Sequence, residues 1–215
     1  MTSLFSGGEV RILVHGHVVY AYQEDDLTHR DLAVMGLRGI GIRGKRIAAV
    51  CRERGIRIIS DEIYHGLEYQ GRAHCALEFD ADATIVNSFS KYFSMAGWRL
   101  GWLVVPPDLV GAARARMGNL FLTPPSLAQH AGLAAFGCRE ELEGHIRTYA
   151  RNRELLLAAL PAMGLTRIAP PDGAFYIYAD VRHLTDDSLA LCKDILRDTG
   201  VATAPGVDFD PVEGH

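Results

Sequence analysis

Residues 88–101 read Ser88-Phe89-Ser90-Lys91-Tyr92-Phe93-Ser94-Met95-Ala96-Gly97-Trp98-Arg99-Leu100-Gly101. The window begins at the end of a short apolar run, Ala83 to Asn87 (ATIVN). It passes into a second, Trp98 to Val105 (WRLGWLVV), which closes at Pro106-Pro107. Upstream, Ile56 to Ser60 (IRIIS) ends in Asp61-Glu62-Ile63-Tyr64. Short apolar runs that alternate with helical segments predict a sheet buried on both faces, and so an α/β fold. Ligands of open α/β sheets collect at the C-terminal strand ends, where the Lys91 window and Asp61-Tyr64 can face one crevice.

Working outward, Lys45 to Arg54 is a predicted helix with Ile47, Val50 and Cys51 on one face and Gly55 as its C-cap. Asp108 to Arg116 and Ser126 to Phe136 are predicted helices, the second opened by Pro124-Pro125 and a serine cap. Glu140 to Leu160 is a long amphipathic helix with Ile146, Leu155, Leu156 and Ala159 as buried candidates. Strand Phe175 to Tyr178, helix Ser188 to Asp198 and strand Val201 to Thr203 follow. The order predicts a sheet-centred unit over 45–137, mainly parallel with flanking helices, and a smaller α+β unit over 138–215. Residues 1–44 show no steady period and form an atypical N-terminal segment. Trp98 and Trp102 read as core, and strand packing is the expected use of Phe175 and Tyr176, with bordering the substrate as the alternative.

The 215 residues carry 22 basic and 26 acidic side chains, a net charge of -4, with 48% apolar residues. Such a chain has no basic stripe for nucleic acid and no apolar run long enough to span a membrane. With no visible secretory signal, the cytoplasm is the expected compartment. Cys51, Cys75, Cys138 and Cys192 are too scattered for a metal knuckle and are expected as buried, reduced thiols. His15-Gly16-His17 lacks the carboxylate or thiol neighbour that a metal site needs. Nineteen of the basic residues are Arg, and only Lys45, Lys91 and Lys193 are Lys. Lysine can give up its proton and act as an amine nucleophile, whereas arginine effectively cannot.

Two stretches compete as a binding site. Gly39-Ile40-Gly41-Ile42-Arg43-Gly44 fits G-x-G-x-x-G after the apolar stretch Leu32 to Leu37, with Asp61 22 residues beyond Gly39. That is the pattern of a dinucleotide-binding turn. The Lys91 window is longer. It sets a lysine between small hydroxyls, an arginine eight positions later, and a carboxylate and phenol on a neighbouring strand end. These are the groups pyridoxal 5′-phosphate would use: an amine for its aldehyde, a carboxylate for its ring nitrogen, hydroxyls and arginine for its phosphate.

The stretch Ser88 to Gly101 resembles the lysine signature of the class I/II aminotransferases, the aspartate aminotransferase-like enzymes of fold type I. Ser60 to Gly66 (SDEIYHG) is similar to that family's second cofactor strand, and Pro171-Asp172-Gly173-Ala174-Phe175-Tyr176 to its small-domain P-x-G-A-F-Y segment. The resemblance covers roughly residues 45 to 210. It implies a fold type I large domain with a smaller C-terminal domain, and pyridoxal phosphate held by Lys91, which also shuttles the substrate's proton. Asp61 would keep the pyridine nitrogen protonated, Tyr64 would donate to the 3′-oxygen, and Ser88 and Arg99, with Ser90, would hold the phosphate dianion. Amino acids and 2-oxo acids are the implied substrates, and a homodimer the implied assembly. Elimination, as in related carbon–sulfur lyases, and a non-catalytic remnant are the alternatives.

The family pattern is not kept throughout. The Asn-Pro-x-Gly that usually precedes the helix at Lys45 is replaced by Arg38 to Gly44. The family's N-terminal phosphate loop and stacking aromatic are not identifiable, and its substrate-carboxylate arginine would lie beyond Pro205-Gly206. The expectation is a chain that matches the middle and later part of such an enzyme.

Overall fold

A computed structural model describes residues 11–15, 18–22, 40–210 and 214. Five strands, β1 (Arg11–His15), β2 (Val18–Tyr22), β3 (Ile58–Asp61), β4 (Thr84–Ser88) and β5 (Gly101–Val104), form one sheet in the order β2-β1-β3-β4-β5. β1 pairs with β3 and β3 with β4 in parallel, whereas β2–β1 and β4–β5 are antiparallel. The sheet is therefore mixed and not mainly parallel as expected. The chain between β4 and β5 contains only a loop and the three-residue 3-10 turn Ala96–Trp98. Without a crossover helix the returning strand runs antiparallel. β1 and β2 come from the N-terminal segment in which no period was legible.

Strands β3 to β5 are not buried on both faces. Ile58, Ser60 and Ile85 are buried, but on β5 Leu103 and Val104 are about two-fifths exposed, at 41% and 42%. Helix α1 (Ile40–Glu53) covers one patch through Ala48 and Cys51, which meet Ile58, Ala83 and Ile85. Ala48 fills the place expected of Val50, which is 37% exposed. The helix starts at Ile40, so Gly41 and Gly44 are helical residues and the competing reading, a dinucleotide-binding turn, does not form among the described residues. Gly39 and the apolar stretch 32–37 lie outside them.

Helix α2 spans Pro107–Phe121, and helix α3 spans Ser126–Ala135. Pro125, not Ser126, is the N-cap of α3, with no side-chain capping bond. α3 packs Ala131 and Ala135 on a cluster of Phe89, Met95, Phe93, Leu100 and Trp102. Trp102 is thus core-facing, but Trp98 is exposed, because the 3-10 turn carries it outward. In helix α4 (Arg139–Ala159) the buried residue is Leu142, while Leu155, Leu156 and Ala159 are exposed. Ile146 and Tyr149 of α4 pack against Tyr64, Leu67 and Ala174.

The chain divides into two compact units, residues 1–152 with 171–176, and residues 153–170 with 177–215. The first unit includes the first half of α4 and the segment Pro171–Tyr176, where Ile146, Tyr149 and Ala174 pack with Tyr64 and Leu67 of the turn after β3. Phe175 and Tyr176 are not in a strand; Gly173 makes one isolated bridge to Glu68. In the second unit helix α5 (Ser188–Thr199) is capped by Asp187, whose carboxylate accepts the Ala190 N–H at 2.9 Å. The strand expected at Val201 to Thr203 does not form. The unit's β character among the described residues is one bridge, Ile168 to Ala179. All four cysteines are free, but only Cys51 is buried and Cys138 is exposed.

Candidate active site

β3 and β4 end side by side. Asp61, the last residue of β3, is in register with Val86 of β4, and Ser88 closes β4 opposite Gly101 of β5. Close approach at that last pair requires glycine, since a Cβ on residue 101 would lie 2.7 Å from the Asn87 carbonyl oxygen. Two of the sequence-derived candidates, Asp61 and Ser88, thus stand on neighbouring strand tips, and the rest follow on the loops that leave them.

The turn after β3 is tightly bonded. The Asp61 carboxylate accepts the Ile63 N–H at 3.3 Å, and Glu62 donates its N–H to the Val86 carbonyl at 2.8 Å. The Glu62 carboxylate is buried, accepts the Ala76 N–H at 2.8 Å and lies 3.2 Å from His65 Nδ1. Leu67, Ala174, Ile146 and Tyr149 pack around Tyr64, which is 6% exposed. Its hydroxyl lies 2.8 Å from the hydroxyl of Tyr176. Burial holds the Tyr64 phenol well above the usual range, and the bond to Tyr176 and the charge of Asp61 push it the same way. Tyr64 is therefore held as the neutral phenol, and either of the two hydroxyls can be the donor.

After β4, Ser88 Oγ lies 2.9 Å from Ser90 Oγ and 3.3 Å from the Leu100 carbonyl, and it accepts the Ser90 N–H at 3.0 Å. The chain then turns, with Ser94 N–H donating to the Lys91 carbonyl and Met95 N–H to that of Phe89, each at 3.0 Å. The Lys91 side chain points back over two rings, its Nζ 5.3 Å from the centroid of Tyr64 and 5.6 Å from that of Phe175. No carboxylate pairs with it among the described residues. Lys91 and Asp61 thus both flank the Tyr64 side chain, one above its ring and the other close enough to act on its hydroxyl.

Arg99 is exposed, and its Nη1 donates to the Ala96 carbonyl at 2.8 Å. Its φ of 54° is in the left-handed region, as are those of Ser94 (55°) and Ala174 (58°). Three of the four non-glycine residues with positive φ among the described ones thus lie in the Lys91–Arg99 loop or in the segment facing Lys91. Non-glycine residues in this conformation carry about 1–3 kcal/mol of strain, and such strain concentrates at functional sites.

The segment Pro171–Tyr176 is held by the backbone of residues 67–69. Ala174 N–H donates to the Leu67 carbonyl at 2.8 Å, Tyr69 N–H to that of Asp172 at 2.9 Å, and the Tyr69 hydroxyl to that of Ala174. This places Phe175 and Tyr176 over Tyr64, with ring centroids 5.8 Å away in both cases. Strand packing, the expected use of Phe175 and Tyr176, is not what they do: they leave the turn that follows Pro171-Asp172-Gly173, a turn-forming stretch.

Whether these residues suit pyridoxal phosphate can be asked of the donor set itself. It offers one amine without an acidic partner among the described residues, two hydroxyls bonded to each other, a guanidinium bonded to its own turn and not to a carboxylate, and a buried neutral phenol. These groups fit an aldehyde, a phosphate and a phenolic oxygen.

The family model "Aminotransferase class I and II" matches residues 44–211. The chain belongs to the class I and II aminotransferase family. A valine–pyruvate aminotransferase of Mycobacterium tuberculosis is 51% identical over 172 residues, 78% of this chain and 44% of that protein. Among solved structures, an aminotransferase from M. tuberculosis matches with a TM-score of 0.77 at 50% identity, over 80% of this chain and 45% of that one. A tetra mutant of Thermus thermophilus aspartate aminotransferase matches with a TM-score of 0.70 at 31% identity, over 77% and 47%. The chain spans a little under half the length of these aminotransferases. No helix among the described residues is long and apolar enough to cross a membrane.

Proposed function

We propose that this chain supplies the cofactor-holding centre of a pyridoxal-phosphate-dependent aminotransferase, which moves an amino group from an amino acid to a 2-oxo acid. The observation that carries the reading is the position of Lys91: an amine at the strand ends, set over the Tyr64 and Phe175 rings with no acidic partner among the described residues. Lys91 would hold the cofactor and, once released by substrate, move the proton of the substrate's α-carbon. Pyridoxal phosphate supplies an electron-withdrawing ring that stabilises the negative charge left on that carbon.

Each remaining role belongs to this chain's own side chains. Asp61, at the tip of β3, would hold a proton on the ring nitrogen by charge. Tyr64, kept neutral by burial, would donate to the ring's phenolic oxygen. Ser88, Ser90 and Arg99 would bind the phosphate, with the hydroxyls turning from each other and Arg99 adding a charge-assisted fork. The first pair to assay is valine with pyruvate, the pair named for the M. tuberculosis relative. Alanine formation that requires added pyridoxal phosphate and is abolished in Lys91→Ala is the expected result. Pyruvate and ammonia released from thiol amino acids instead would move the assignment to elimination.

A further inference from the structure

We propose that Tyr176 is a positioning residue that sets the direction of the Tyr64 hydrogen bond: Tyr176 donates to the Tyr64 oxygen, so that the Tyr64 proton is directed to an anionic oxygen of the bound group. The inference rests on the cofactor reading above and deepens it, because nothing in that reading gives Tyr176 a task. The two hydroxyls are 2.8 Å apart and either can be the donor. A phenol has one proton to give. If Tyr64 is to donate outward, its oxygen must accept from Tyr176, and the two bonds then strengthen each other as links of one chain.

The mounting of Tyr176 suits such a task. Tyr64 is buried on the turn after β3, while Tyr176 is 49% exposed and can keep its own oxygen solvated as it donates. Its backbone follows directly on the segment bonded to residues 67–69, and Ala174 there is 4% exposed and left-handed. Phe175 packs between Tyr176, at 4.8 Å, and Tyr149 of α4, at 5.5 Å. Among the charged and titratable groups that face Tyr64 are Asp61 from β3, Lys91 from the loop after β4, and Tyr176 itself. Asp61 disfavours an ionised Tyr64, so a second phenol is a better source of the relayed bond than a charged donor, which would favour ionisation.

The test is spectroscopic. The full chain is loaded with pyridoxal phosphate, and the pH midpoint of its visible colour change is recorded for the parent, Tyr176→Phe, Tyr64→Phe and the double variant. Tyr64→Phe removes the outward donor and raises the midpoint. Tyr176→Phe, which keeps both rings, is expected to raise it in the same direction by about half a unit or more. In the Tyr64→Phe background, Tyr176→Phe is expected to add nothing. A Tyr176→Phe midpoint equal to the parent's, with only thermal stability lowered, would show a packing role and overturn the proposal. Equal and additive shifts in both backgrounds would overturn it too. A parent that takes up no colour would instead overturn the cofactor reading, and this proposal with it.

Discussion

Gly66 links the Tyr64 turn to the Lys91 loop, and replacing it by alanine should separate two energetic contributions. Its φ is 94°, and a Cβ there would meet the Tyr92 ring, with Cγ at 2.8 Å and Cε2 at 2.9 Å. An L side chain in a left-handed conformation costs about 1–2 kcal/mol. Overpacking against a ring adds about 1–3 kcal/mol if the ring cannot move. Tyr92 is restrained, since its hydroxyl lies 3.3 Å from the Glu143 carboxylate and its ring stacks edge-on to Phe93 at 5.0 Å. Gly66→Ala should therefore lower unfolding free energy by about 2–5 kcal/mol. Gly71 is the internal control. Its φ is 77° and nothing lies within 4 Å of its added Cβ, so Gly71→Ala should cost only the backbone contribution. Urea unfolding of the two variants gives the difference directly. Equal losses would refute the account, because they would mean that the Tyr92 ring moves aside at no cost and the two loops are not rigidly joined.

Other outcomes follow from the same geometry. Arg99→Gly should relieve left-handed strain and raise stability by about 1 kcal/mol, while weakening pyridoxal phosphate retention by about tenfold or more; a stability gain without loss of retention would remove Arg99 from the phosphate site. In the second unit the Asp180 carboxyl is held well below the usual range, first by its bond to the Arg182 side chain and then by the Arg182 backbone N–H and Arg167. A depressed carboxylate contributes stability above its unfolded pKa and loses it as pH falls through about 4 and below. Arg182→Ala should therefore flatten the fall in urea midpoint between about pH 5 and 2, and an unchanged slope would show that the pair is not linked to folding.

The strands and helices nearest the site were legible because their signals are local: IRIIS and ATIVN are compact apolar runs, and Gly55 ends α1 with a φ of 68°. The missed elements depend on partners remote in sequence. RILVH and VVYAY, separated by Gly16-His17, carry a hairpin signal, but neither run alternates cleanly. Val50 and Ala48 exchange burial because α1 lies on the sheet through its smaller residues, which no helical pattern specifies. Over its described part, residues 40–44, the GxGxxG match lies in helix α1, the helix that buries Ala48 and Cys51. In the candidate site, Lys91, Asp61 and Tyr64 can be proposed from their order and spacing and the family resemblance these carry. Tyr176 cannot, because its hydroxyl gains meaning only from the 2.8 Å approach to a residue 112 positions away.

The identity of the amine is the point on which the whole account turns, and this chain allows a clean measurement. Lys45, Lys91 and Lys193 are its only lysines. Borohydride reduction of the full chain with pyridoxal phosphate, followed by peptide mass mapping, should place a single pyridoxyl adduct on Lys91 and leave the other two unmodified. An adduct on Lys45 or Lys193 instead, or equal modification of the parent and Lys91→Ala, would contradict it.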